Sequence, residues 1–349
     1  MKRSIFLISV VMLMFLSLSA GIQCAPNPNP VEGLGTFNGR QLIIGVVANE
    51  LESEWVSTVM LYAKKLVIDS GAECIATNAN NDPAQQISQM EDLLTRGVDA
   101  VIISTVDSNA LVSIAEKFYS QGKYIVTVDK VINSDVIALH VAPDQIMMGV
   151  KAAKYINDKL GGKEGKLVEL QGSPQHSVAQ MRHEGFAKGV DEYPNLKIVR
   201  EYNTEWMASN AMNAVMDVLQ IYPDVSGFYL HSDMLIPGVV QGLNQMDRLA
   251  PVGDPKHIII VSTDGSPVCI ENINNGNIDA AVENNAMLVA DIAVRGILKY
   301  IIPGKDHPKE VIIDPAVITK ENANDTTRWG LYDPANVSNW PYLVQEFLP

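Results

Sequence analysis

A chain of 349 residues that is 47% hydrophobic and 19% charged has the length for two compact domains with substantial cores, and that composition excludes disorder for most of it. Its 40 acidic against 26 basic residues set a net charge of -14, which excludes the nucleic-acid backbone as a partner, because that affinity comes from Lys and Arg displacing counterions. An anionic membrane surface repels such a chain as well.

Lys2 and Arg3 precede an apolar run from Ile5 to Leu18 and then the small residues Ser19, Ala20 and Gly21, the pattern of a cleaved export signal over residues 1–24. The run is short for a membrane span, and no second one of that length follows. Cys24 offers lipid attachment as the alternative, against which Gln23 stands where a small residue is usual. Residues 25–40 contain "PNPNPVEGLGTFNGR", rich in Pro, Asn and Gly without an apolar period; they read as a flexible leader, with folded structure expected from about Gln41. Cys74 and Cys269 lie far apart, lack a paired CxxC spacing and read as small core residues, not as a disulfide or a zinc site.

From residue 42 a rhythm sets in. "LIIGVVA" (42–48) is a continuous apolar strand, and 54–70 carries Trp55, Val59, Tyr62, Ala63 and Leu66 at helical spacing. "ECIATNA", "AVIIST" and "YIVTVD" follow as strands, with helices near 83–96 and 109–121. The pattern restarts with "KLVELQG" (166–172), "LKIVREYN" (196–203), "GFYLHS" (227–232), "HIIIVSTD" (257–264) and "IDAAVEN" (278–284), each with a helix behind it. Short apolar runs alternating with amphipathic helices predict an α/β fold of two doubly wound parallel-sheet lobes. The lobes are expected at 41–143 plus 285–313 and at 144–284 plus 314–349, joined by a hinge of crossover strands drawn from a helix at 285–302 and "VIIDPAVIT" (311–319), with a ligand cleft between them. No helix-turn-helix precedes residue 41, which excludes a DNA-binding repressor built on this architecture.

In such sheets ligands bind beyond the carboxyl ends of the strands. Asp129, Ser232, Asp233, Asp264 and Asn284 all emerge there, as does the loop after "ELQG". One acid in such a place is usually a helix N-cap, and Asp233 or Asp264 has that reading open to it; repetition along one edge favours a binding site. Acids, amides and Arg182 suit pairs of hydroxyls, while Trp55 and Trp206 suit the C–H faces of a sugar. Trp55 fits the core stripe of its helix equally well, whereas Trp206, in a loop, reads as a stacking platform. In "LQGSPQHSVAQMRHEGF" (170–186), His176 approaches from the loop and Arg182 from the helix body.

Several chemistries drop out. "GGKEGK" precedes its strand where a phosphate loop follows one, "HEGFA" lacks the second histidine of a helical zinc site, and no GxGxxG follows the first strand. Asp129 and Asp264 have the composition of a glycosidase pair, but with Lys130, Arg182 and Asn284 around them they should stay ionised as acceptors, so no enzyme, cofactor or metal site is expected.

The chain from about 41 to 320 resembles the periplasmic monosaccharide-binding proteins of bacterial ABC importers, the ribose- and galactose-binding group. "ANNDPAQQISQMEDLLTRGVDAVIIS", "VTVDK", "ELQGSP", "RHEGF" and "STDGSP" carry the resemblance in order. It implies ligand contacts from Glu52, Trp55, Asp129, Arg182, Trp206, Ser232, Asp264 and Asn284, with His176 matching a contact of the galactose type. Departures are Glu54 in place of an aromatic ring, Ser232 for a common Asn, Lys130 for the Arg of the ribose type, and Val178 for an acid of the galactose type. The resemblance implies a monomer in the periplasm that passes a small sugar or polyol to an inner-membrane permease, with docking on a chemoreceptor or sensor kinase as the alternative. The tail 326–349 extends past the resemblance, and its two tryptophans and two tyrosines suggest packing on a lobe.

Overall fold

The computed structural model describes residues 29–343; the export signal, Cys24 and the last six residues lie outside the described residues. A hairpin, β1 (Thr36–Phe37) and β2 (Arg40–Gln41), leads into β3 (Ile43–Ala48), α1 (Glu54–Asp69), β4 (Glu73–Asn78), α2 (Pro83–Thr95), β5 (Ala100–Ile103), α3 (Val112–Ser120), β6 (Tyr124–Val128) and β7 (Leu139–Pro143). The chain continues with α4 (Gln145–Leu160), β8 (Gly165–Gln171), α5 (Ser177–Asp191), β9 (Leu196–Asn203), α6 (Ala208–Ile221), β10 (Gly227–Leu230), α7 (Ile236–Gln245), β11 (Ile259–Asp264), α8 (Pro267–Asn275) and β12 (Ala280–Glu283). Then α9 (Ala286–Arg295) runs into a π-helical turn, Gly296–Ile301, before β13 (Glu310–Ile313) and β14 (Val317–Thr319).

Two six-stranded sheets result, ordered β13-β7-β6-β5-β3-β4 and β14-β12-β11-β10-β8-β9. All pairs within them are parallel except β12 with β14. Because helices cover both faces, the central strands are buried along their length, which is why they read as unbroken apolar runs. In each sheet the second strand of the lobe lies outside the first and the third returns on the other side. That switch point leaves a crevice at the carboxyl ends. Caps fix where the helices begin: Ser53, Asp82, Asp144 and Asn285 each accept a backbone N–H from the first turn of α1, α2, α4 and α9.

Four readings need correction. Strand β7 had no counterpart in the sequence reading, because its five residues end on Pro143 and present His140 in an otherwise apolar run. The single run 311–319 is two strands: β13 joins the first sheet and β14 the second, broken at Asp314–Ala316, so the chain changes lobes inside it. The leader is structured from Asn29. Val31 is fully buried, Asn29 donates to the Asp69 carbonyl at 3.1 Å, and Arg40 grips the Asp99 carboxylate at 2.6 and 2.9 Å. Its Pro, Asn and Gly residues mark turns laid on the lobe, not freedom. Finally, the tail does not stay with the second lobe. Trp329 packs beside Asp264, then Trp340 meets Tyr62 of α1 at 5.9 Å between ring centroids and Tyr342 donates to Asp69 at 2.9 Å.

The crossing of α4 and α5 is set by two glycines. A β-carbon on Gly185 would fall 1.9 Å from the Ile146 carbonyl oxygen, and one on Gly149 would fall 2.2 Å from the Phe186 nitrogen. The helices therefore approach backbone to backbone and hold Arg182 near Gln145. Gly185→Ala should lower stability by about 2 kcal/mol through forced separation of the pair. The check is a urea midpoint that falls with unchanged slope; an unchanged midpoint would mean the two helices can part without cost.

Candidate functional site

A cavity of about 720 Å³ opens between the lobes at the carboxyl ends of both sheets, within the size range of small-molecule pockets. Glu52, Trp55, Asp129, Lys130, His176, Arg182, Trp206, Ser232, Asp264 and Asn284 all line it. A second cavity of about 780 Å³ lies against the crossover between β13 and β14 and the tail; none of these residues reaches it.

Asp264 ends β11 with φ at 116°, a conformation side-chain-bearing residues rarely adopt. Its surroundings fix it. The Asp264 carbonyl accepts from the Asn284 backbone N–H at 3.0 Å and from Trp329 Nε1 at 2.9 Å. Its carboxylate accepts from Ser232 Oγ at 2.8 Å, from Arg182 Nη2 at 3.4 Å and from Asn284 Nδ2 at 3.5 Å. Asp129 and Trp206 also have positive φ, at 65° and 62°. Three strained residues around one cavity are the signature of a site whose side-chain directions matter more than local comfort.

Arg182 is 4% exposed. It donates through Nε to Gln145 Oε1 at 2.8 Å and through Nη1 to the His231 carbonyl, leaving Nη2 for Asp264. Trp55 resolves its two readings at once: it is buried among the α1 core, and its Nε1 donates at 2.8 Å to the Asn284 carbonyl on the cavity edge. Trp206 stays partly exposed, with Nε1 donating to His176 Nδ1 at 2.9 Å and the two rings nearly parallel. Its ring lies over Gly172, where any β-carbon would sit 2.0 Å from the indole. The glycine of "ELQG" is thus the floor of the aromatic platform.

Burial pushes the Asp129 carboxyl above the ordinary range; Lys130 and Arg182 work against that shift and the charge of Asp264 with it. Glu54 is raised too, by burial and then by Asp264, although it does not line the cavity. Of the three acids in "ELESEW", Glu50 is committed to the backbone N–H groups of Glu52 and Ser53, at 2.5 and 2.9 Å. Glu50 and Glu52 both line the cavity, Glu50 with one of its oxygens already committed.

Asp233 is the site residue that the structure removes. It is 2% exposed and turned away from the cavity, accepting from Ser262 Oγ at 2.5 Å and from the Gly265 and Ser266 N–H groups at 2.7 Å each. It fixes the loop before α8 and does not cap the helix that follows it in sequence, where Ser232 is the N-cap. Asn49, Asn81 and Gln175 are polar lining residues that sequence reasoning missed, and Asn49 is the most informative of them. It lines the cavity directly after β3, and its Oδ1, like that of Asn284, is buried without a protein partner. The rule that found the others, a polar residue just past an apolar strand, would have found it.

These features define a two-lobe binding protein with its ligand site in the crevice. Residues 44–306 match the family model described as the periplasmic binding protein domain, and the chain belongs to that family. It is similar to the ribose import binding protein RbsB of Bacillus subtilis, at 26% identity over 311 residues, covering 89% of this chain and 97% of that protein. It is likewise similar to the xylitol-binding protein of Mycolicibacterium smegmatis, at 27% identity over 80% of this chain and 78% of that one. Among solved structures, the periplasmic binding component of the arabinose ABC transporter from Shewanella sp. ANA-3, bound to L-arabinofuranose, superposes with a TM-score of 0.72 at 25% identity, over 86% of this chain and 99% of that one. The family is one of periplasmic solute-binding proteins, not enzymes. Among the described residues no helix is long and apolar enough to cross a membrane.

Burial first, and the nearby Asp264 second, push the Asp233 carboxyl up to about 7. Since the folded value lies above the unfolded one, this group's contribution to stability is complete below about pH 4 and is lost as pH rises towards 7. Asn at 233 can keep one acceptor for the two N–H groups and turn its amide nitrogen to Ser262, yet cannot titrate. Asp233→Asn should therefore flatten the fall of Tm between about pH 4 and 7. A slope identical to that of the parent protein would place the titration elsewhere.

Proposed function

We propose that the protein captures a monosaccharide or polyol in the interlobe cavity and delivers it, as a monomer, to the permease of an ABC importer in the inner membrane, after export by a cleaved signal at residues 1–24. The observation that carries this reading is the convergence of Asp129, Ser232, Asp264 and Asn284 from separate strand ends, and of Arg182 from the body of α5, onto one cavity that Trp55 and Trp206 also line. Hydroxyls leaving water each need a partner, and charged or amide groups in fixed positions supply them. The indole rings cover the C–H faces that those polar groups do not. Relatives named for ribose, xylitol and L-arabinofuranose support a polyhydroxylated ligand. Their names describe import and binding, which favours transport over docking on a chemoreceptor or sensor kinase.

Binding is expected to close the lobes about the crossover between β13 and β14, so that the permease meets a surface the free protein does not present. Arg182, Ser232 and Asn284 all donate to the Asp264 carboxylate, which fixes its direction for accepting from a ligand hydroxyl.

A thermal-shift panel of pentoses, hexoses, inositols, linear polyols and amino sugars tests the reading. A true ligand adds about 2.7 kcal/mol at a hundredfold excess over Kd, so its Tm rise is unmistakable. Silence across the panel, in protein stripped of co-purified ligand, would overturn the carbohydrate assignment. For the ligand found, Asp264→Ala should weaken binding by roughly a hundredfold or more, from the loss of charged hydrogen bonds, while the circular dichroism spectrum is retained. Full affinity in that variant would remove Asp264 from the site.

A further inference from the structure

Away from the cavity, on the rim of the second sheet, four side chains converge that the binding function does not use. Glu169 and Gln171 are alternate residues of β8, Glu201 stands directly opposite Glu169 on the edge strand β9, and His183 reaches over from α5. Two like charges in directly opposed positions on neighbouring strands repel, and here one of them, Glu169, has no exposed surface at all. A cation held between them relieves that repulsion, and the nearest group of the protein able to supply one is the His183 ring, 2.8 Å from Glu169.

The hydrogen bonding says what kind of cation. Gln171 Nε2 lies 3.1 Å from Glu169 Oε2, 3.0 Å from His183 Nδ1 and 3.3 Å from Glu201 Oε2, while His183 Nδ1 lies 2.8 Å from Glu169 Oε2. If Nδ1 carries a proton, that proton goes to Glu169 and the Gln171 amide faces a second donor. If it does not, two acceptors face each other at 2.8 Å. With Nδ1 protonated each hydrogen still reaches a carboxylate, His183 to Glu169 and the Gln171 amide to Glu169 and Glu201, but two nitrogens that both donate are left 3.0 Å apart. A metal ion removes the conflict: Gln171, turned over, offers Oε1 where Nε2 stands, and all four atoms become ligands.

The spacing fits. Ligands about 2.0 to 2.2 Å from a shared ion stand roughly 2.9 to 3.5 Å from one another, close to the separations found here, and the Glu169, His183 and Glu201 donor atoms all lie within 4.8 Å of each other. The outer shell is built as well. The other oxygen of Glu169 is held at 2.8 Å by Nε2 of buried His231, whose Nδ1 in turn takes the Gly172 N–H at 3.3 Å. Glu201 is exposed and His183 half-exposed, so the cluster opens to solvent on one side, with room for water as a further ligand.

We propose that Glu169, Gln171, His183 and Glu201 form a binding site for a first-row divalent cation such as zinc. One imidazole with carboxylate and amide oxygens is a donor set suited to zinc, nickel or manganese. The ion clamps edge strand β9 to β8 and α5, and through His231 it steadies the buried carbonyl that accepts from Arg182.

The test uses the untagged protein, stripped with a chelator and titrated with zinc chloride against a chromophoric competitor. One zinc per chain is expected, with protons released on binding. Because Glu201 is exposed, Glu201→Gln keeps the fold; it and His183→Gln should each weaken zinc by about tenfold or more. Anomalous scattering at the zinc edge should place the ion among the four residues. No stoichiometric binding, or the same isotherm in the parent and both variants, would overturn the site. Sugar affinity is not the readout, so this outcome is independent of the function proposed above.

Discussion

The buried guanidinium of Arg182 is the interaction on which the cavity depends. A charge taken out of water is tolerated only where partners surround it, and this one has three: Gln145 from α4, the His231 carbonyl past β10, and Asp264 at the end of β11. Those partners come from three separate elements, so the arginine registers α5 against the sheet as much as it neutralises an acid. The close glycine crossing of α4 and α5 brings Gln145 within reach. Without Arg182, Asp129, Asp233 and Asp264 would share a small low-dielectric space with only Lys130 to oppose them. The carboxyls of Asp129 and Asp233 are already raised by their burial.

A second constraint concerns backbone strain. Asp264 cannot keep a φ of 116° by itself, and the carbonyl bonds from Asn284 and Trp329 hold it there. Trp329 belongs to the tail, which then crosses to α1 and packs Trp340 and Tyr342 on the first lobe. The tail is therefore a strap that touches both lobes and, at one end, the back of Asp264. Any change of lobe angle has to be accommodated by this segment as well as by the crossover between β13 and β14.

Much of this was legible in the sequence because it follows from burial and period. A doubly wound lobe shows its strands as apolar runs and its site as the polar residues that end them, and that rule located Asp129, Ser232, Asp264 and Asn284. It failed where local pattern carries no direction. Asp233 follows the same kind of strand as its neighbour Ser232, yet one residue's difference in phase turns it into the loop before α8, a distinction made by three donors that no spacing encodes. The leader was misjudged, and the tail was given its packing but not its lobe, for a related reason: single anchors such as Val31 and Trp340 pack by long-range contact, with no period around them. Glu169, Gln171, His183 and Glu201 meet only through strand register and a helix laid across it, so no short motif announces them.

The position of the groups lining the cavity limits what can work the hinge. Asn49 and Asp129 belong to the first lobe, Arg182, Ser232 and Asp264 to the second. A ligand that satisfies one wall alone binds open and closed forms equally and shifts nothing, however tightly it is held. Only a molecule with hydrogen-bonding groups on opposite edges favours closure, because only then does closing add partners. The unpartnered amide oxygens of Asn49 and Asn284 sharpen the requirement, since each accepts and neither can donate. They call for hydroxyls, which can turn a proton to either wall. A ring or chain bearing hydroxyls around its perimeter meets this condition, and an anion, with acceptors only, meets neither these oxygens nor the acids beside them.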